Sequence, residues 1–367
     1  MDLAALEIGL FPGVDGILAD IRFSPSATST DQVLGRSLPV PLDTARLSSL
    51  ALDPTGYAIA LTEMLFSERQ MVSAWHHARA YSDAIEIPLH VRLRISDDLP
   101  ILHDIRWELL RDPNSGEDLS RSGRVWISRA LDRIDTPQRD LPTRKMIRSL
   151  VVLASPPDLG RFGMAPIPVE VGLRAAQALL PLPTMLIDGS AGHYANLQTI
   201  SCGLWRSSGI LVVFAHGVRA DGEVALVMQN DDGTRQMVSA GDMVEVLGGL
   251  PRMPVAVVLV SCMSGGMGDG FDDGLTSLGG SLARRGVSAV LALAGMAQMS
   301  LADSFVPTFL SDLSEHGDAL NALGRARATL PDDRWMPRLW LNGRSGQLWE
   351  VPPRGNRWLT GVGLWLS

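Results

Sequence analysis

The chain has 367 residues, with 32 Lys and Arg against 40 Asp and Glu, and its formal net charge of −8 argues against a direct nucleic-acid binder. Hydrophobic residues make up 46% of it, ample for a sizeable core, and its two cysteines, Cys202 and Cys262, make no disulfide framework. Among the seven histidines no set has zinc spacing, so neither a metal nor an organic cofactor is expected. The most apolar stretch, residues 287–302, is too short and too polar to span a bilayer, and no signal-peptide pattern opens the chain. The expected location is cytoplasmic, away from membranes.

In chain order, Gly16–Phe23 reads as a strand, followed by a Ser/Thr/Pro-rich connector. From Pro54 to Ala84, Leu61, Met64, Leu65, Met71, Val72 and Trp75 recur at roughly helical spacing. Ile87–Ile95 alternates apolar with polar residues and predicts a half-exposed strand. Ile105–Leu110 runs into the turn signal Asp112-Pro113-Asn114-Ser115-Gly116, and Val125–Arg129 reads as another strand. This half holds no cluster of catalytic residue types. The polar, proline-containing connector Thr136–Arg144 marks a domain boundary, so residues 1–143 are expected to form a non-catalytic α/β half and 144–330 a second domain.

After the boundary a βα alternation begins. Strands are predicted at Ile147–Ala154, Thr184–Ile187, Ile210–Ala215, Val255–Ser261 and Val287–Leu293. Between and after them come helices at Val169–Leu180, Ala195–Arg206, Gly241–Leu247, Leu275–Arg285, Leu301–Ser314 and Asp318–Leu330. A hairpin is expected from Glu223–Met228 and Thr234–Val238 through Asn230-Asp231-Asp232-Gly233. The pattern predicts an α/β fold with a mostly parallel sheet flanked by helices. In the tail, residues 331–367, five of the nine tryptophans gather. They read either as indoles that pack this extension onto the second domain or as a partner-docking surface.

Two strands carry the chemistry. Ile210–Ala215 runs into His216-Gly217, and Val255–Ser261 runs into Cys262; both are continuous apolar runs of the kind buried on two faces. Each brings a reactive side chain to the carboxyl edge, where α/β sheets keep their sites. An imidazole beside a thiol takes its proton and later delivers it to a leaving amine. Cys262 is therefore the candidate nucleophile, His216 the general acid and base, and the Gly217 N–H, with that of Cys262, a candidate oxyanion hole. Taken singly, a Cys or a His at a strand end is more often structural, and the pattern alone leaves both readings open. Cys202, inside a helical pattern beside Leu204 and Trp205, is expected in the core.

Residues from about 145 to 330 resemble the CHAT family of caspase-like cysteine peptidases. The matching text is Phe214-Ala215-His216-Gly217, then residues 258–265, Gly279–Val287 and Ala294–Gln298. Leu102–Pro113 resembles what precedes CHAT domains, and His216 lies 46 positions upstream of Cys262, close to the caspase spacing of about 50. The resemblance implies a caspase-like fold, an endopeptidase using Cys262 and His216, and a non-catalytic, pseudo-caspase-like first half. It further implies a bacterial immune or cell-death effector, held inactive until a sensor or partner protein engages. Its substrate would be a protein, in some relatives a gasdermin-like pore-former. A catalytically silent scaffold binding the same partners is the alternative.

The position two before the nucleophile holds Gln in aspartate-specific caspases and Asp in some arginine-specific relatives. Here it is Val260, flanked by Ser261, which favours an uncharged P1 residue such as Leu, Met or a small one. Asp269, Asp272 and Asp273 offer a basic-P1 pocket instead. The loop Met263–Gly274 holds five glycines and reads either as an active-site loop ordered by substrate or activator, or as an ordinary connection.

Overall fold

The computed structural model describes residues 3–26, 29–121, 123–131, 141–190, 192–205, 209–220, 223–261, 274–293, 301–330 and 336–350. The N-terminal half begins as an antiparallel meander of β1 (Ala4–Gly13), β2 (Gly16–Ser24) and β3 (Gln32–Val40). Three helices follow, α1 (Thr44–Ser49), α2 (Pro54–Leu65) and α3 (Arg69–Ala84). Asp53 caps α2 by accepting from the Gly56 N–H, with Pro54 in the first turn. The single helical stretch expected over 54–84 is two helices, broken at residues 66–68. β4 (Leu89–Ile95) then pairs parallel to β1, and β5 (Val125–Leu131) parallel to β4.

The alternation of β4 sends Leu89, Val91, Leu93 and Ile95 into a core with Tyr57, Leu61, Met71 and Trp75 of α2 and α3. The opposite face is polar: Arg92 pairs with Glu7 of β1 at 2.8 Å. One apolar face per strand is why this half reads as alternating rather than continuous text.

The second half lays down β6 (Ser149–Leu153), α4 (Val169–Ala178), β7 (Thr184–Ile187), α5 (Leu197–Leu204) and β8 (Ile210–Ala220). The hairpin β9 (Glu223–Gln229) and β10 (Arg235–Ser239), then α6 (Ala240–Gly248), β11 (Ala256–Ser261), α7 (Gly274–Arg285) and β12 (Ala289–Leu293) follow. It closes with α8 (Val306–His316), α9 (Ala319–Arg327) and β13 (Pro337–Leu341). β7, β6, β8, β11 and β12 are parallel neighbours in that order. β11 shows why its text is uniformly apolar. Val258 and Val260 face a core with Val171 of α4, Phe309 of α8 and Leu320 of α9. Val257 and Leu259 face Ile200 of α5, Met243 of α6 and Leu282 of α7.

β13 joins the two halves into one 13-stranded sheet, antiparallel to β12 and parallel to β5. It comes from the Trp-rich tail, where Trp340 and Trp349 are buried; Trp335, Trp358 and Trp365 lie outside the described residues. Because β13 runs against β12 and with β5, the carboxyl ends of β1, β4 and β5 point to the opposite edge from those of β8, β11 and β12. Among the described residues no helix is long and apolar enough to cross a membrane.

A buried ion pair sits where the halves meet. Arg129 of β5 reaches Glu108 through Nη2 at 2.8 Å and Nε at 3.1 Å, both side chains fully buried. The same guanidinium donates to the carbonyls of Ile105 and His103 and lies 5.3 Å from the Trp340 ring of β13. Burial pushes the Glu108 carboxyl up, but Arg129 and then Arg338 outweigh it and hold it below its ordinary value. His103 beside them is driven down to about 3 by burial and by Arg129, so it is neutral at pH 7. Glu108→Gln keeps the shape and leaves Arg129 buried without its counter-charge, a loss of about 3–5 kcal/mol. It is expected to lower the unfolding midpoint by about 4–6 °C in a calorimetric scan, whereas an exposed pair such as Arg46–Glu63 should shift it hardly at all.

Candidate active site

The first part of β8 is held between two parallel neighbours, β6 and β11. The last register pair with β11 sets Ala215 opposite Ser261. From His216 on, β8 pairs antiparallel with β9 on the side away from β11, His216 opposite Val227 and Gly217 opposite Leu226. His216 therefore lies inside a strand, not at a strand end as its sequence context predicts. The backbone ladder continues past the apolar run with a new partner.

His216 is buried, and its Nε2 donates to the Ala165 carbonyl at 2.7 Å. A carbonyl only accepts, so this bond places the ring proton on Nε2 and leaves Nδ1 as the acceptor nitrogen of the neutral ring. Ala165 belongs to the connection between β6 and α4, and three contacts fix that connection. Ile167 N–H donates to Ser155 Oγ at 3.0 Å, closing its base. Leu159 and Met164 bury themselves against Val227 of β9. The Arg235 guanidinium of β10 stacks 3.4 Å from the Phe162 ring centroid. The β9–β10 hairpin thus continues β8 past His216 and also anchors the loop that orients its imidazole.

The other candidate residues are placed as follows. Gly217 is buried beside His216. Val260 is 3% exposed, in the core with Phe214, its register partner on β8. Ser261 closes β11. Cys262, Asp269, Asp272, Asp273 and the rest of 262–273 lie outside the described residues. Cys202 is corrected: it is exposed, not core. In α5 the buried residues are Ile200 and Leu204, four apart on one face, and Cys202 sits about 200° round the helix from Ile200. Ala165 had no signal in the sequence, because it acts through its backbone carbonyl.

The second half is thus a parallel sheet with helices on both faces that carries a buried histidine on β8. The profile of the CHAT domain family matches residues 55–346, and the chain belongs to that family. Among solved structures, separase from Saccharomyces cerevisiae, determined in complex with securin, is similar with a TM-score of 0.40 and 12% sequence identity. That likeness covers 85% of this chain and 20% of the separase chain, so the protein spans about a fifth of that relative's length. No curated protein matches the sequence.

The anchored loop makes a prediction about the imidazole itself. Leu159→Ala opens a cavity beneath the 156–167 connection and should cost about 2–4 kcal/mol. It is expected to turn a single Nε2–H tautomer of His216 into a mixture, read from the ring 15N shifts by NMR and assigned by their loss in His216→Gln. An unchanged single tautomer in Leu159→Ala would separate the loop from the orientation of the ring.

Proposed function

We propose that the protein is a cysteine endopeptidase in which Cys262 is the nucleophile and His216 the general acid and base. The observation that carries this reading is the register of β8 and β11. Ala215 lies opposite Ser261, and His216 and Cys262 are the next residues along two neighbouring parallel strands. Adjacent strands stand about 4.8 Å apart, within reach of a side-chain pair. The Nε2 bond to Ala165 adds support, since it makes Nδ1 the nitrogen that accepts a thiol proton.

In the proposed cycle the Cys262 thiol passes its proton to His216 Nδ1, and the thiolate attacks the scissile carbonyl carbon. The electron pair displaced onto the carbonyl oxygen is held by the N–H groups of Gly217 and Cys262. The imidazolium returns the proton to the amine nitrogen as the C–N bond breaks, leaving a thioester on Cys262. A water deprotonated by His216 then hydrolyses that thioester and frees the thiol. No cofactor enters the cycle.

For specificity, Val260 beside Phe214 brings no charge to this part of the sheet, and we take the P1 residue to be Leu, Met or a small one. Asp269, Asp272 and Asp273 are the groups that a basic P1 would use. Residues 1–143 are the non-catalytic half, 144–330 the protease domain, and 331–367 an extension packing on it. The CHAT resemblance supplies the setting: a cytoplasmic bacterial immune or cell-death effector, switched on by a sensor or partner protein. Its protein substrate would be of the gasdermin-like, pore-forming kind.

Purified protein profiled against a peptide library is expected to cut after Leu, Met or small residues. Cys262→Ala and His216→Ala should each lower kcat/KM by at least about 10³-fold. Cleavage after Arg alone would move the specificity to the acidic residues, and cleavage that survives Cys262→Ala would overturn the assignment.

A further inference from the structure

Side chains alternate along a strand, so the residues of β1, β2 and β4 that face away from α2 and α3 stand in rows across the sheet. The register sets Glu7 of β1 between Arg22 of β2 and Arg92 of β4, and Ala5 between Ser24 and His90. A cavity of about 50 Å³ opens on these rows. Leu3, Ala5 and Trp126 of β5 form its apolar wall. The second half closes it with Asp318, the cap of α9, and with residues 344–346, which follow β13. The cavity lies on the opposite face of the sheet from the Arg129–Glu108 pair, since Trp126 and Arg129 stand three apart on one strand. Among the described residues none of β8 or β11 lines it.

The carboxylates at the cavity are all engaged. Glu7 accepts from Arg92 Nη1 at 2.8 Å and stands 3.2 Å from Arg94 Nε. Asp31 accepts from both Nη groups of Arg344, at 2.7 and 2.8 Å, and from the Ser24 hydroxyl at 2.7 Å. Asp318 accepts from the N–H groups of Leu320 and Asn321, each at 3.0 Å. Arg92 is the group left with a donor to place. Its side chain is 14% exposed, and its Nε is buried without a hydrogen-bond partner among the described residues. Burial works against its charge, which Glu7 supports and Arg344 opposes. A buried donor on a charged group costs free energy until an acceptor meets it. The Nε–Nη2 edge of a guanidinium offers two parallel N–H groups that match the two oxygens of a carboxylate. Arg129 meets Glu108 through those same two atoms.

We propose that this cavity binds a small organic monocarboxylate, with its two oxygens on the Nε–Nη2 edge of Arg92 and its short apolar body against Leu3, Ala5 and Trp126. The space sets the size. One water needs about 10–15 Å³ by this measure, so the cavity takes an acid of roughly four to six non-hydrogen atoms, about that of propionate. Held there, the acid touches strands of the first half and the segment after β13. It fastens the halves together on the face that the Arg129–Glu108 pair does not reach. The proposal uses no catalytic residue and is independent of the protease reading.

Calorimetric titration of the full-length protein with propionate, at pH 7 and constant ionic strength, tests it. One saturable site per chain is expected, with a Kd of about 1 mM or below, and an unfolding midpoint that rises with propionate concentration. Ala5→Leu fills the cavity without removing a charged group, and Arg92→Lys keeps the charge but loses the paired donors. Each is expected to weaken propionate binding at least tenfold, with circular dichroism to show that the variant is folded. Inorganic phosphate should bind at least tenfold more weakly than propionate, and ethylammonium not at all. A wild-type protein that shows no saturable propionate binding would overturn the proposal. So would unchanged affinity in either folded variant, or phosphate binding as tight as that of propionate.

Discussion

The guanidinium of Arg129 is held by the Glu108 carboxylate on one side and lies against Trp340 on the other. Through those contacts the N-terminal half, with its one-faced sheet, is fastened to the two-faced sheet that carries the histidine. β13 is the strand that does it, pairing with β12 on one side and with β5 on the other. Trp340 also meets α7, where the absence of a side chain at Gly279 lets the helix come down on the indole; a Cβ there would stand 2.8 Å from the ring. α7 is the first described element after Cys262 in sequence. The carboxyl edge of β1, β4 and β5 faces away from that of β8 and β11.

At the site itself the governing constraint is a change of partners along β8. While β8 pairs with β6 and β11, its residues are buried on both faces and must be apolar. One residue further on, paired with β9, it carries an imidazole. The β9–β10 hairpin takes up the ladder of β8 just past its last pair with β6, and Leu159, Met164 and Phe162 use the same hairpin to hold the Ala165 carbonyl against Nε2. A single backbone acceptor then fixes which nitrogen holds the ring proton, the function a carboxylate serves in Ser-His-Asp triads.

Much of this was legible in the text of the chain because burial writes itself in composition. β6, β8, β11 and β12 are uniform apolar runs and were found as such, and the hairpin was marked by Asn230-Asp231-Asp232-Gly233. β1 escaped notice because Glu7 and the Gly and Pro residues interrupt it, and the partner that makes Glu7 tolerable is Arg92, 85 residues away. β3 is likewise broken by Gly35, Arg36 and Pro39. Cys202 was misplaced because its apolar neighbours Leu204 and Trp205 hid the helical angle at which it sits. Glu108 stood within a motif recognised by resemblance, but its pairing with Arg129 joins segments that sequence periodicity treats separately. Ala165 left no trace, since any residue offers the same carbonyl.

The central claim is that the residues following Ala215 and Ser261 act as one acid–base pair, and the chain contains its own control. Cys202 is exposed on α5, in a different element from His216, and serves as the reference thiol. Iodoacetamide labelling of the two cysteines, followed by mass spectrometry from pH 5 to pH 9, measures the thiolate at each. The account predicts that Cys262 is alkylated well below the pH at which Cys202 reacts, and that His216→Ala brings the two profiles together. Coincident profiles in the wild-type protein, or a Cys262 profile that His216→Ala leaves unmoved, would contradict it.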